Sequence, residues 1–226
     1  MQYQNVVLGR YIDRPNRFLA HVEIDGQVQT VHVKNTGRCK ELLVPGATVY
    51  LESSSDPKRK TAWDLIAVEK GDRLINMDSQ APNKVFGEWV AGGGFLPGVT
   101  LIRPETRYGN SRFDFYVEAD GTGHFIEVKG VTLEEEGIVR FPDAPTERGV
   151  KHVEELIRAQ EDGYESWICF VIQMSGVKRF EPNDRTHPEF GAALRRAKQA
   201  GVHILAVDCQ VAPGSVFVRE QVQIHL

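Results

Sequence analysis

The chain is poor in the residues that knit a fold covalently or through structural metals. Its 226 residues include three cysteines, Cys39, Cys169 and Cys209. They are odd in number, widely spaced and free of any CxxC pair, which excludes a disulfide framework and a zinc knuckle and favours a reducing compartment. The seven histidines contain no HxxxH pair, so that zinc pattern is absent too. No apolar run approaches the ~20 residues of a membrane helix, and MQYQNVVLGR lacks the basic start and apolar centre of a signal peptide. A cytoplasmic protein without a membrane partner is expected. Ser111 and Ser175 have no nucleophile-elbow context, and neither a P-loop nor a dinucleotide fingerprint occurs. Positive charge is also scarce. Lys and Arg total 27 against 31 Asp and Glu, a net charge of −4. Residues 1–78 hold 11 basic against 10 acidic side chains, and the remainder 16 against 21. Attraction to phosphate therefore needs local basic patches or bound cations.

What is present is ordinary globular material, with 41% hydrophobic and 26% charged residues, and length enough for two modest cores. The first ~75 residues read as short strands: Val6–Ile12, Phe18–Ile24, Val28–Val33, Thr48–Glu52 and Trp63–Glu69. Asp13–Asn16, Asp25-Gly26, Pro45-Gly46 and Ser53–Pro57 supply the turns, and Asn35–Leu43 supplies a helical turn after the third strand. That order matches an OB-type barrel, a fold often used for single strands and oligonucleotides. From residue 79 the pattern changes to helix Ser79–Val90, strands Arg112–Glu118, His124–Val131 and Ile138–Phe141, a helix capped by Thr146, strand Trp167–Gln173, helix Pro188–Ala200 and strand Val202–Val207. The expected division is 1–78, a nucleic-acid-binding barrel, and 79–226, an α/β (α+β) domain whose mixed central sheet is flanked by helices.

The chemistry-bearing segment is Ser111–Phe115 followed by Phe125–Gly130. Alternation along a strand points Glu127 and Lys129 the same way. Asp114 lies on the preceding strand, and a five-residue turn would bring its carboxylate beside Glu127. Two carboxylates and the Val128 carbonyl make a hard-oxygen site for Mg2+ or Mn2+. Such an ion activates water and offsets charge on a phosphoryl group, with Lys129 as electrostatic partner. A cross-strand surface pair explains the spacing equally well.

The strings Tyr108–Phe115, Glu127-Val128-Lys129-Gly130-Val131-Thr132-Leu133 and Phe141–His152, with Asn35-Thr36-Gly37-Arg38 and Pro45-Gly46 earlier, resemble the sugar fermentation stimulation protein A family over nearly the whole chain. The resemblance implies an N-terminal OB-fold, a C-terminal PD-(D/E)XK nuclease-like domain, DNA binding and a regulatory role in sugar metabolism. It carries the metal-site pattern onto Asp114, Glu127 and Lys129, with Glu88 on the first helix as a further acidic ligand. It leaves open whether the chain cuts DNA or is a non-catalytic DNA-binding regulator, whether RNA is a target, and whether it forms a homodimer. Arg148, Lys151 and His152 fall on one helix face, opposite Val150, Val153, Leu156 and Ile157, and form a phosphate-holding surface or a solvated one. Arg112 shares a strand face with Asp114. Arg38 in the polar turn and Lys58, Arg59 and Lys60 before the fifth strand are the barrel's cationic candidates. Tyr11, Tyr50 and Trp63 are candidates for base stacking or for the core.

Overall fold

Alternating burial builds the first domain. In β2 (Leu19–Ile24) Ala20, Val22 and Ile24 are buried while Glu23 is exposed, the two-residue period of a half-buried strand. It joins β1 (Val6–Asn16), β3 (Gln27–Val33), β4 (Thr48–Ser53) and β5 (Trp63–Lys70) in the order β3-β2-β1-β4-β5. Parallel pairing of His32 with Asp64 and Val33 with Leu65 closes the ring. The expected OB-type barrel is therefore a closed five-stranded one. Between β3 and β4 the chain makes one helical turn, the Leu43 N–H donating to the Cys39 carbonyl at 2.9 Å. A further strand, β6 (Arg73–Asn76), folds back on β5 and leads out of the barrel. The computed structural model describes residues 1–35, 37–54, 56 and 58–226. Thr36 of the polar turn, and Ser55 and Pro57 before β5, lie outside the described residues.

The second domain runs α1 (Ala81–Ala91), β7 (Val99–Tyr108), β8 (Ser111–Ala119), β9 (Thr122–Val131), β10 (Glu134–Glu135), β11 (Ile138–Phe141), α2 (Glu147–Glu161), β12 (Glu165–Ile172), β13 (Arg179–Pro182), α3 (Pro188–Gln199), β14 (His203–Ala212) and β15 (Ser215–Gln221). Its main sheet has the order β15-β14-β12-β9-β8-β7. β9, β12 and β14 are parallel, and β7, β8 and β15 run antiparallel to their neighbours. The sheet is mixed, as expected. α1 packs with Phe115, Ile126 and Val128, whereas α2 and α3 share a core with Phe113, Phe125 and Phe170. The Thr146 hydroxyl caps α2 by accepting from the Gly149 N–H at 3.1 Å.

The sequence reading missed both edges of this sheet. β7 contains exposed Arg103-Pro104-Glu105 and β15 ends in exposed Arg219-Glu220-Gln221. Edge strands carry charge and proline on faces that central strands keep apolar, so their alternation is weak. β11 spans the residues expected and pairs with β10 and β13 in a separate small sheet.

The domains meet across buried polar groups. Asp78 is fully buried, paired with Lys34 of the barrel at 2.8 Å, and accepts from the Gln80 N–H at 2.9 Å and the Tyr3 hydroxyl at 3.2 Å. Asn76 donates to the Tyr3 hydroxyl at 2.9 Å, and Gln173 donates to Asn76 Oδ1 at 2.8 Å and to the Asp78 carbonyl at 3.0 Å. A second tie holds Glu134 to Lys70 at 2.8 Å and to Arg73 at 3.2 Å. Burial works against the charge on Glu134, but Lys70 and the Gly137 N–H outweigh it and hold the carboxyl below the usual range. Removing one partner of a buried ion pair costs about 3 kcal/mol. Thermal unfolding of Lys34→Ala is accordingly expected about 8 °C below wild type, whereas Arg38→Ala on the exposed loop leaves the midpoint in place.

Candidate active site

The site grows out of a tight hairpin. Ala119 pairs with Thr122, so β8 and β9 are joined by two residues, Asp120 and Gly121, both at positive φ (49° and 78°). An Asp-Gly pair suits that turn because it tolerates the left-handed region. The turn is shorter than the five residues expected, yet its register still sets Asp114 across from Glu127. The ladder ends at Phe115 and Ile126. Beyond it the Val128 N–H donates to Asp114 Oδ2 at 2.8 Å, so a side chain takes over from the neighbouring strand's backbone. Asn83 of α1 donates to Asp114 Oδ1 at 2.8 Å.

Glu127 is 2% exposed. Its Oε1 accepts from Lys129 Nζ at 2.5 Å and from His152 Nδ1. Its Oε2 is buried and, among the described residues, has no hydrogen-bond partner. Arg148 Nε lies 3.4 Å from His152 Nε2. A guanidinium can only donate, so Nε2 is the accepting nitrogen and the ring proton sits on Nδ1, facing Glu127. Burial opposes the Glu127 charge, but the His152 hydrogen bond and the Lys129 ammonium overcome it and hold the carboxyl below its usual range. Asp114 goes the other way: burial first, then the neighbouring Glu127 charge, raise its pKa against the pull of Val128, Asn83 and Lys129. A cation between the two carboxylates would relieve both effects.

Three expectations need correction. Glu88 points away from this pair and takes the N-terminal ammonium of Met1 instead. The residue of α1 that reaches Asp114 is Asn83, five positions earlier and well round the helix from Glu88. His152 is 6% exposed and bonded to Glu127, so it does not form an outer phosphate-holding face. It belongs to the sheet-facing stripe of α2 with Gly149, Val153 and Leu156, the i, i+3, i+4, i+7 spacing of a buried helix side. Arg59 is clamped by Asp64, with Nη1 and Nη2 at 2.8 and 2.6 Å from its two oxygens.

The other cationic candidates are exposed. Arg148 and Lys151 stand on the open side of α2, Lys151 reaching the Asn110 carbonyl at 3.4 Å. Arg112 lies 3.4 Å from Glu105, an exposed pair that contributes little. Arg38, Lys58 and Lys60 are exposed on barrel loops. Tyr11 is core, and the Tyr50 hydroxyl is held by Glu69 at 2.8 Å. Sequence reasoning overlooked Arg14, whose guanidinium donates to the carbonyls of Asn35, Gly37, Arg38 and Arg17 and so shapes the polar loop beside the second domain. Nothing in a lone arginine in a stretch that reads as a turn signals that role.

The donor set suits a hard divalent cation. Among the described residues no three His, Cys, Asp or Glu side chains gather into a metal-binding group. Mg2+, however, is commonly held by one or two carboxylates with water and phosphate completing its shell. Asp114 with the unpartnered Oε2 of Glu127 meets that requirement.

A closed OB-type barrel joined to a mixed-sheet domain with a buried carboxylate pair is the class that fold and site define. The family profile "Sugar fermentation stimulation protein RE domain" matches residues 80–215, and "SfsA N-terminal OB domain" matches residues 12–77. The chain belongs to the sugar fermentation stimulation protein family. The homologue of that name from Clostridium beijerinckii is 59% identical, and that from Ruminiclostridium cellulolyticum 58%, each across 100% of both chains. The solved structure of Pyrococcus furiosus SfsA in complex with Ca2+ is 28% identical, with a TM-score of 0.91 over 100% of this chain and 98% of that one.

Two outcomes follow for the pairs described above. His152→Ala strips a hydrogen bond from a buried charged group, expected to cost about 2 kcal/mol in urea unfolding. Asp64 is held below the usual carboxyl range because Arg59 and His32 outweigh its burial. The stability this adds is present above the unfolded pKa and is lost as pH falls through the folded one. Arg59→Ala should therefore destabilise the chain at pH ~7, with the difference shrinking as the solution is acidified toward pH ~2.

Proposed function

We propose that the chain hydrolyses phosphodiester bonds of nucleic acid, with DNA as the expected substrate, using Mg2+ or Mn2+ held by Asp114 and Glu127. The observation that carries this reading is Glu127 itself. Lys129 and His152 occupy one oxygen of its carboxylate, and the other is buried beside a second carboxylate with no partner among the described residues. Leaving a buried acceptor unmatched is costly, which marks Oε2 as an atom kept for a ligand. The Ca2+ bound by the archaeal relative supports a divalent cation.

The cation, when bound, polarises a phosphoryl oxygen and lowers the pKa of water. The chain's own residues do the rest. Asn83 and the Val128 amide hold the Asp114 carboxylate in place, and His152 fixes the rotamer of Glu127. Lys129 sets its ammonium beside the reacting phosphate to offset developing charge. Arg112, Arg148 and Lys151 stand where flanking phosphates pass. The barrel, residues 1–78, binds the strand that the domain over 79–226 cuts, and a homodimer would pair two sites for a double-strand break. The buried free thiols suit a cytoplasmic setting. A regulatory role in sugar metabolism would act through such binding.

One observation favours a second reading, a DNA-binding regulator that does not cut. The helix carboxylate Glu88, expected as a third ligand, is tied to Met1.

Calorimetric titration with Mg2+ and Mn2+, followed by plasmid and oligonucleotide cleavage with DNA and matched RNA, separates the two. Wild type is expected to bind the ion and cut, Asp114→Ala to lose both, and Lys129→Ala to bind the ion but cut about 100-fold more slowly. DNA binding in EDTA with no strand breaks under either metal would establish the regulator.

A further inference from the structure

A cleft of about 300 Å³ opens between the domains, and its chemistry is one-sided. The barrel loop supplies Asn35 and Gly37. The second domain supplies Gly130, which directly follows Lys129, together with Phe141, Asp143 and Gln173. Its volume equals roughly ten waters at ~30 Å³ each, the scale of one nucleobase rather than a duplex.

The side-chain donors lining it are already engaged. Asn35 Nδ2 donates to the Met77 carbonyl at 3.0 Å and Ser79 Oγ to the Lys34 carbonyl at 2.7 Å. Gln173 Nε2 is held by Asn76 and the Asp78 carbonyl. The Arg140 guanidinium is taken up by Glu135 at 2.7 Å and by Glu181 at 3.2 Å. Acceptors are left over. Among the described residues, neither Gln173 Oε1 nor the Asp143 carboxylate accepts a side-chain or backbone hydrogen bond, and Gln173 is 2% exposed, deep in the cleft. The Thr132 hydroxyl can act in either sense. The glycines keep the space open. A Cβ on Gly37 would lie 2.9 Å from Asp143 Oδ2, and one on Gly130 would lie 2.8 Å from Gln173 Oε1 and 2.6 Å from Pro82 Cγ.

We propose that this cleft is a reading pocket for a single unpaired nucleobase, selective for the donor-rich edge of guanine. The inference rests on the nucleic-acid reading above and adds a specificity to it. Guanine presents N1–H and N2–H side by side, the match for the two oxygens of the Asp143 carboxylate. Adenine and cytosine each offer one amino group on that edge, and thymine one imide N–H. Phe141 gives the base an aromatic wall, half-buried and backed by Phe190 at 5.1 Å between ring centres. With Gln173 Nε2 fully engaged and the Arg140 charge taken up by two carboxylates, the cleft favours a ligand that brings donors over a phosphate. An unpaired base fits where a paired one does not, because pairing would consume the edge being read.

The test is fluorescence anisotropy in EDTA, where cleavage cannot intervene, with labelled duplexes carrying one unpaired G, inosine, A, C or T, and a fully paired duplex. Wild type is expected to bind the unpaired-G duplex about 10-fold more tightly than the unpaired-T duplex, the discrimination of one bidentate contact. Inosine, which lacks the 2-amino group, should lose most of that advantage. Asp143 is exposed, so Asp143→Asn leaves the fold intact; it should abolish the preference and leave binding to the paired duplex within about twofold. Equal affinity for all bases, or a preference that survives Asp143→Asn, overturns the pocket while the nucleic-acid reading stands. A uniform loss on every probe in Asp143→Asn overturns it as well, making Asp143 a contact indifferent to the base. Failure of wild type to bind any of these duplexes overturns the pocket, and failure that persists with Ca2+ in place of EDTA overturns the nucleic-acid reading too.

Discussion

The architecture hinges on one buried ion pair, Lys34 with Asp78. A carboxylate removed from water must find its partners inside the protein, and those of Asp78 come from both sides of the domain junction. Lys34 belongs to the end of the barrel, Gln80 leads into α1, and Tyr3 is itself anchored by a hydrogen bond from its N–H to the Gly214 carbonyl of the β14–β15 turn at 2.9 Å. Hydrophobic contact alone is non-directional. The directional bonds around Asp78 set the angle at which the barrel meets the sheet, and with it the width of the cleft beside Gly130.

The same physics operates at the carboxylate pair. The β8–β9 ladder stops one residue short of Asp114, and the freed amide of Val128 is not left unsatisfied. Asp114 takes it, and this pins the carboxylate at the point where the strands part. Glu127 lies across from it, with one oxygen fully engaged and the other unmatched among the described residues. The opposed shifts of the two carboxyls, Asp114 upward and Glu127 downward, reflect their unequal supply of cationic neighbours.

Central strands and capped helices were legible in the sequence because burial imposes a period. β2 and β8 follow theirs, and Thr146 caps α2 as its position suggests. The Asp114–Glu127 register was legible because a hairpin ties sequence distance to spatial opposition. β7 and β15 were not, since edge strands answer to solvent on one side and mix charge, proline and apolar residues without a clean alternation. The two helix-borne assignments failed for a related reason. Helical spacing reveals which residues share a face but not which face meets the sheet, so His152 looked like part of a basic surface and Glu88 like a ligand.

By itself the sequence determined the barrel order, the mixed-sheet domain, the carboxylate–lysine hairpin and the family, because each is written in local spacing or in long specific strings. Only the tertiary structure decided what those residues face. It turned His152 inward onto Glu127, gave Glu88 to the N-terminus, spent Arg59 on Asp64, and left Glu127 Oε2 without a partner among the described residues. These outcomes depend on which distant segments compete for each hydrogen bond, and that competition is settled only when the whole chain has packed.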